Sequence, residues 1–392
     1  MSQRPDSHFP DCDVVIVGGG LSGLLASRML ADTGRSVVLV APERRPDHRT
    51  TALLGASVNA IKDVGVWPTI VSVAEPLAAI RIIDATSRLV RAPEVLFSAA
   101  EIGLDAFGFN IPNEPLLAAL ETSVRDAGVR PIEASATGLR VDGNRAIVTT
   151  DAGHQIAARL VVAADGRNSR LREWAGIGVN VRDSSQAALV CEFDHDRAHQ
   201  NVSTEFHTEH GPFTMVPLPG NRSGLVWVTT SLEAERLKSL PADRLGELIE
   251  DNAHALLGRM TITAPVQSFP LNSMIADRSA ADRVVLIGEA AHAIPPIGAQ
   301  GFNLTIRDIE CLAKLTRGGS DPGASSVTQA YQAQRRGDVM MRRGAVDLIN
   351  ASLLSAALPI QLIRGAGLFA LAKMPPIRRA VMRAGLGIST AN

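Results

Sequence analysis

The sequence predicts an α/β protein: a parallel-sheet, Rossmann-like dinucleotide-binding domain, an antiparallel-sheet domain inserted into it, and a helical C-terminal region. Three observations carry this. The β-branched run Asp13–Val17 (DVVIV) leads into Gly18-Gly19-Gly20-Leu21-Ser22-Gly23, then into a helical stretch and a second β-branched run. Two later apolar runs, Leu160–Ala164 (LVVAA) and Val284–Ile287 (VVLI), suit the same buried parallel sheet. The segments between them alternate and hold the turn residues, as antiparallel strands do.

Composition sets the bounds. A chain of 392 residues, 46% hydrophobic, is more than one core's worth, so two domains are expected. A net charge of −1 gives no pull toward nucleic acid, and one Tyr with three Trp offers no base-stacking platform. Cys12, Cys191 and Cys311 are scattered without a CxxC pair, and no secretory signal is read before Cys12. A reduced cytoplasmic setting and no metal site are expected.

Each element follows in order. Residues before Asp11 read as a loose leader. DVVIV is the first strand, the helix runs to about Asp32 with Gly34 as its stop, and Ser36–Ala41 is the second strand. Strand, glycine turn, helix and strand in one short stretch make a βαβ unit. Leu77–Val95 and Ala187–Thr230 read as antiparallel strands, with a turn at Pro217-Leu218-Pro219-Gly220-Asn221. After about Thr328 the chain turns helical and basic. The division expected is 1–75, 100–182 and 270–335 for the dinucleotide domain, 76–99 and 183–269 for the inserted domain, and 336–392 for the tail. From Arg335 onward nine Lys/Arg face two Asp/Glu. The longest uncharged stretch there, Leu348–Ile363, falls short of the roughly 20 residues of a membrane span, and Pro359 interrupts it. A transmembrane helix is therefore rejected, and an interfacial or buried helix is retained.

The glycine loop carries the first chemistry. Gly18 allows the tight turn, Gly20 lets a pyrophosphate approach the backbone, and Gly23 packs the helix on the strand. The helix N-terminus then faces the phosphates. The acid that holds an adenosine ribose belongs at the end of the second strand, where Ala41 stands; Glu43, two residues on, is either that ligand or a solvated side chain. Asp165-Gly166 follows LVVAA, which suits a carboxylate bonded to a cofactor and equally an ordinary Asp-Gly turn. Gly288-Glu289-Ala290-Ala291-His292 follows VVLI. The segment Pro295–Asn303 then enters a helix that holds Asp308. Gly298 and Gly301 around Ala299-Gln300 leave N–H groups free at that helix start, a seat for negative charge. His292 reads as structural rather than catalytic.

VVIVGGGLSG, ADGRNSRLREWAGI, VVLIGEAAHAIPPIGAQGFNLTIRD and PPIRRAVMRAGLG, in this order over nearly the whole chain, resemble the class A flavin monooxygenases. The fold implied is p-hydroxybenzoate hydroxylase-like, and the branch most resembled is the ubiquinone-biosynthesis hydroxylases. Arg49–Leu53 and Gly108–Glu114 also match segments near the flavin. Gly211–Leu218 matches the sheet over the substrate. The resemblance implies FAD held by Gly18, Gly20, Leu21, Ser22 and Gly23, by Glu43, Arg49 and Asn113, by Asp165 and Gly166, by Gly288 and Glu289, and by Gly298, Ala299, Gln300, Gly301, Phe302 and Asn303. It implies NAD(P)H as electron donor and O2 as co-substrate, with a flavin hydroperoxide hydroxylating a polyprenylated phenol. Pro296, Gln300 and Gly301 are then the surroundings of flavin and substrate; no base is identified.

Three residues depart from the pattern: Ala41 for the acid, Glu289 for the usual Asp, and Glu114 where Arg is common. Glu114 is expected to point away or bind a hydroxyl. The partners implied are the lipid substrate, a membrane surface on the inner membrane or a quinone-biosynthesis complex that presents the lipid, and a second copy of the chain; nucleic acid is not among them. Two alternatives stay open: a hydroxylase of a small soluble phenol, and a non-catalytic flavoprotein-like scaffold. A flavin halogenase is less favoured because no Trp-x-Trp-x-Ile-Pro segment is present.

Overall fold

The computed structural model describes residues 11–87, 91–294, 300–354 and 358–386, with side chains throughout except at 300, 342, 343, 345–354, 358–362 and 364. The expected leader and the sequence-assigned Pro296, Gly298 and Ala299 lie outside the described residues.

The first sheet is built from the runs that are apolar on both faces. Strands β1 (Cys12–Val17), β2 (Val37–Ala41), β8 (Arg130–Glu133), β11 (Gln155–Ala163) and β21 (Val284–Leu286) run parallel in the order β21-β11-β1-β2-β8. Val14 and Ile16 face a layer of helices that includes α1 (Leu21–Ala31), α2 (Ala56–Asp63), α4 (Asn113–Asp126) and α8 (Gln300–Thr316). Val15 and Val17 face a hairpin, β9 (Ala136–Asp142) and β10 (Arg145–Thr150), and α5 (Arg170–Trp174). Burial on both faces is why β1, β2, β11 and β21 read as apolar runs, whereas edge strand β8 has only Ile132 buried. Short strand β20 (Ala280–Ala281) closes the edge on β21.

The second large sheet joins β5 (Ala79–Asp84) and β6 (Val95–Ser98) to β13 (Gln186–His195), β14 (Val202–Thr208), β15 (Gly211–Leu218), β16 (Arg222–Thr230), β17 (Met260–Ile262) and β18 (Gln267–Pro270). It is not wholly antiparallel as expected: β5 pairs β14 in parallel, Ile80 opposite Ser203 and Ile82 opposite Glu205. The two strands come from separate stretches of chain, so no hairpin dictates their relative direction. One face is covered by α6 (Ser231–Lys238) and α7 (Ala242–Asn252), through Phe193, Phe206, Phe213, Leu225 and Trp227. The other face meets a three-stranded sheet of β3 (Thr50–Leu54), β4 (Glu75–Pro76) and β7 (Gly108–Pro112), where Asn110 Nδ2 donates to Pro217 O at 2.9 Å. A last small sheet pairs β12 (Val179–Arg182), β19 (Ser273–Ala276) and β22 (His292–Ala293).

Short pieces among the described residues before the tail are α3 (Trp67–Ile70) and 3-10 turns at Val71–Val73, Ala99–Ile102 and Gly288–Ala290. The tail forms α9 (Ser325–Leu354), α10 (Leu358–Lys373) and α11 (Pro375–Leu386). Met382 is buried with Val95, Phe97 and Phe107, and Leu368 and Leu371 pack beside them. Arg378 latches the pair. Its Nη2 is 2.7 Å from Glu101, and its Nη1 donates to the carbonyls of Leu371 and Ala372 at 2.8 and 3.0 Å, closing the end of α10. Among the described residues no helix is long and apolar enough to cross a membrane.

Candidate cofactor and active site

Register brings three loops to one edge. Val17 stands opposite Ala163, and Ala163 opposite Leu286, so the turns after β1, β11 and β21 share the carboxyl end of the parallel sheet. That edge is where open α/β sheets bind ligands.

The glycines divide by what surrounds them. Gly18 has φ +123°, and a Cβ there would sit 2.2 Å from the Ala164 carbonyl oxygen. A Cβ on Gly23 would sit 1.8 Å from Gly18 O. Both are demanded by packing of the chain on itself. A Cβ on Gly20 meets nothing within 4 Å, so its approach is left to something outside the chain. Gly20 is also the N-cap of α1, and no side chain caps that end. The N–H groups of Leu21, Ser22 and Gly23 are thus the orphan donors of an 11-residue helix, the feature that seats a pyrophosphate.

Asp165 leaves β11 beside Gly18. One carboxylate oxygen accepts from Leu171 N at 3.2 Å, while the other, Oδ1, is buried with no partner. An unpaired buried carboxylate oxygen costs on the order of 1–3 kcal/mol or more, and a cofactor hydroxyl there removes that cost. Gly166 has φ +80° and open space around it. Gly288 has φ +58°; a Cβ on it would come 2.9 Å from Ser22 Oγ and 3.1 Å from Thr305 Oγ1, so the first and third loops touch. Arg172 Nη1 donates to Arg167 O and Ala290 O, both at 3.0 Å, and ties the second loop to the third.

The loop after β2 is held in a way the sequence does not announce. Arg49 makes a two-pronged pair with Asp47, 2.7 Å on each prong, and its guanidinium lies 5.7 Å over the Phe269 ring. Asp47 holds the Arg49 guanidinium more firmly charged than usual, and Glu289 adds to the effect. Asn113 Nδ2 donates to Asp47 at 2.9 Å and its Oδ1 accepts from Thr51 at 2.6 Å. Burial pushes the Asp47 carboxyl up, but these donors outweigh it and hold it below the usual range. The Asn113 amide therefore orients Asp47 and Arg49. Glu114 does not point away: it takes the Asp47 N–H and pairs with Arg44 at 2.9 Å, which holds its carboxyl low. Arg44 also reaches Glu121, so an acid at 114 clamps the loop that an Arg there would repel. Glu43 is exposed beside this clamp, and Glu289 is exposed beside Arg49.

Gln300 and Gly301 are the first residues of α8, with Phe302 half-buried behind them. Asn303 accepts from Leu54 N at 2.9 Å and donates to Ala52 O at 2.7 Å, so it fixes α8 to β3. His292 is buried, with Nε2 2.7 Å from Asp308 Oδ2. Asp308 also accepts from Gly288 N at 3.1 Å and Arg335 Nε at 2.7 Å. His292 is thus spent on the scaffold under the third loop. Asp47, Arg44, Arg172 and Arg335 escape the sequence reading.

Uncapped helix donors, an orphaned carboxylate oxygen, and a loop cation facing Glu289 fit FAD. The FAD binding domain family matches residues 11–341. The chain is 33% identical to the ubiquinone hydroxylase UbiL of Rhodospirillum rubrum, over 96% of this chain and 89% of that protein. It is 27% identical to the 3-demethoxyubiquinol 3-hydroxylase of Escherichia coli, over 96% and 98%. In fold it matches p-nitrophenol 4-monooxygenase PnpA of Pseudomonas putida, with a TM-score of 0.80 at 17% identity, covering 98% and 100%. The chain belongs to the FAD-binding-domain family and, within it, to the class A FAD-dependent aromatic-ring monooxygenases.

Proposed function

We propose that this chain hydroxylates the aromatic ring of a polyprenylated phenol in ubiquinone biosynthesis. The observation that carries the reading is the 33% likeness to a ubiquinone hydroxylase along 96% of the chain. When bound, FAD supplies the redox chemistry that passes electrons from NAD(P)H to O2. The uncapped start of α1 binds the pyrophosphate. Asp165 Oδ1 and the exposed Glu289 accept from cofactor hydroxyls, and Arg49 steadies Glu289. The start of α8 at Gln300 and Gly301 stabilises negative charge on the flavin. The second sheet roofs the site with Val190, Val226 and Val228, which excludes water from the reacting centre.

Purified protein is expected to carry flavin absorbance and to consume NAD(P)H faster when a phenol is added. Deletion of the gene from its quinone-making host is expected to deplete the quinone and accumulate an unhydroxylated polyprenyl phenol; an intact quinone pool would count against this substrate.

The finer reading is peripheral attachment to the membrane that holds this lipid. The inner faces of α10 and α11 pack on the body, and Phe369, Met374, Ile377 and Val381 remain 41–55% exposed, near exposed Lys373, Arg379 and Arg383. Apolar side chains beside cations suit an anionic leaflet, where each basic residue contributes on the order of 1 kcal/mol. Replacing Phe369, Ile377 and Val381 by serine is expected to weaken flotation with anionic vesicles about tenfold or more, with FAD content unchanged. Undiminished flotation removes the tail from this role.

A further inference from the structure

Strand β14 reads Val-Ser-Thr-Glu-Phe-His-Thr, and alternation puts Phe206 on one face and Glu205 and His207 on the other. Phe206 packs under α6 and α7, so Glu205 and His207 look toward the parallel-sheet half. Register fixes what they look at. On the same face a Cβ at Gly224 would stand 3.6 Å from Thr50 Oγ1, and Phe269 carries the Arg49 guanidinium. This is the face that roofs the cofactor loops.

The face is apolar on both sides. Ile80 and Ile82 continue into the cluster under α10 and α11, and Val226 and Val228 belong to the cluster around Leu271. Between them sits an ionisable pair: His207 Nε2 is 2.8 Å from Glu205 Oε1, and Thr214 Oγ1 is 3.3 Å from Glu205 Oε2. His207 is 8% exposed and its Nδ1 is buried without a partner; Glu205, at 19%, is the accessible member. Asp84, beside His207 in the register, is occupied by Thr86 and by the backbone N–H of Ala92. An ionisable pair on an apolar roof costs desolvation that packing alone does not return.

We infer that Glu205, backed by His207, receives the ring hydroxyl of the phenol. The inference rests on the hydroxylase reading and supplies the base which that reading lacks. Attack by an electrophilic oxygen is fastest on a ring whose hydroxyl is giving up its proton. The substrate O–H bond breaks and its proton forms a new O–H bond on the Glu205 carboxylate, while His207 Nε2–H, donating to Oε1, holds that carboxylate in place. The freed electron pair on the phenol oxygen feeds the ring. His207 acts through Glu205 and is a positioning residue.

The test uses the full-length, FAD-loaded enzyme with 2-methoxyphenol and a more acidic, ring-fluorinated 2-methoxyphenol. Glu205→Gln is expected to keep its FAD, to bind 2-methoxyphenol about tenfold more weakly, and to hydroxylate it about 100-fold more slowly. The ratio of wild-type to variant rate is expected to shrink about tenfold on the fluorinated phenol, which needs less help to ionise. Glu205→Asp is expected to restore part of the rate, and His207→Asn to fall between wild type and Glu205→Gln. Equal deficits on the two phenols, or no deficit on either, overturn the assignment while leaving the hydroxylase reading intact. Wild-type protein that hydroxylates neither these phenols nor a 2-polyprenylphenol overturns both.

Discussion

Gly18→Ala is expected to unfold the cofactor cradle, with a loss of about 3 kcal/mol or more and no retained FAD. Two costs combine. A φ of +123° is far from where an L side chain rests, and the new Cβ would lie 2.2 Å from a backbone oxygen of Ala164. A backbone carbonyl in a parallel sheet cannot swing aside as a side-chain tip does, so β1 and β11 must part at their carboxyl ends. Gly20→Ala is the matched control. Its φ is −81° and its Cβ touches no atom of the chain. The same added methyl is expected to change apoprotein stability by less than about 1 kcal/mol and still to weaken FAD about tenfold, because it stands where the pyrophosphate approaches. Chemical denaturation of the apoproteins and flavin titration separate the two effects. Equal stability losses in the two variants would show that the loop is held by something other than these contacts.

The residues that were legible from the sequence share a physical reason. β1, β11 and β21 are buried on both faces, so their apolar runs announce a parallel sheet. Gly18 and Gly23 have no substitute where backbone meets backbone, so their spacing survives as a motif. Pairs that close through space leave no such trace. Arg335 opens the basic tail and reads as one of its solvated charges, yet it is buried against Asp308, 27 residues away. Glu114 looks like a flaw in a phosphate site until Arg44 is seen beside it, 70 residues earlier. β8 was missed because Arg130–Glu133 has only Ile132 buried and lies at the sheet edge, where burial writes no pattern. Glu205 and His207 sit two apart on a strand that alternates, and alternation alone does not say which face is the roof of a site.

Asp308 is where the scaffold under the third loop is most exposed to a single change. Its carboxylate is 1% exposed and takes hydrogen bonds from Gly288 N and Arg335 Nε, with His292 Nε2 at 2.7 Å. Burial alone would make the Arg335 guanidinium less basic, but Asp308 and Asp338 more than reverse this and hold it charged. Asp308→Asn keeps the shape and removes the charge. It leaves Arg335 ionised beside Asp338 only, and it gives the site an amide that must both accept from Gly288 and face a second donor. Breaking a buried pair from one side costs about 3–5 kcal/mol. The loss is expected to reach function as well, because the Gly288 N–H bond holds the φ +58° turn that presents Glu289. Denaturant titration should show the lower stability, and flavin titration should show weaker FAD. The double variant Asp308→Asn with Arg335→Met is expected to regain part of the loss, since the stranded charge is gone while the volume is kept. A single Asp308→Asn variant within about 1 kcal/mol of wild type would mean that the carboxylate gives the third loop no support.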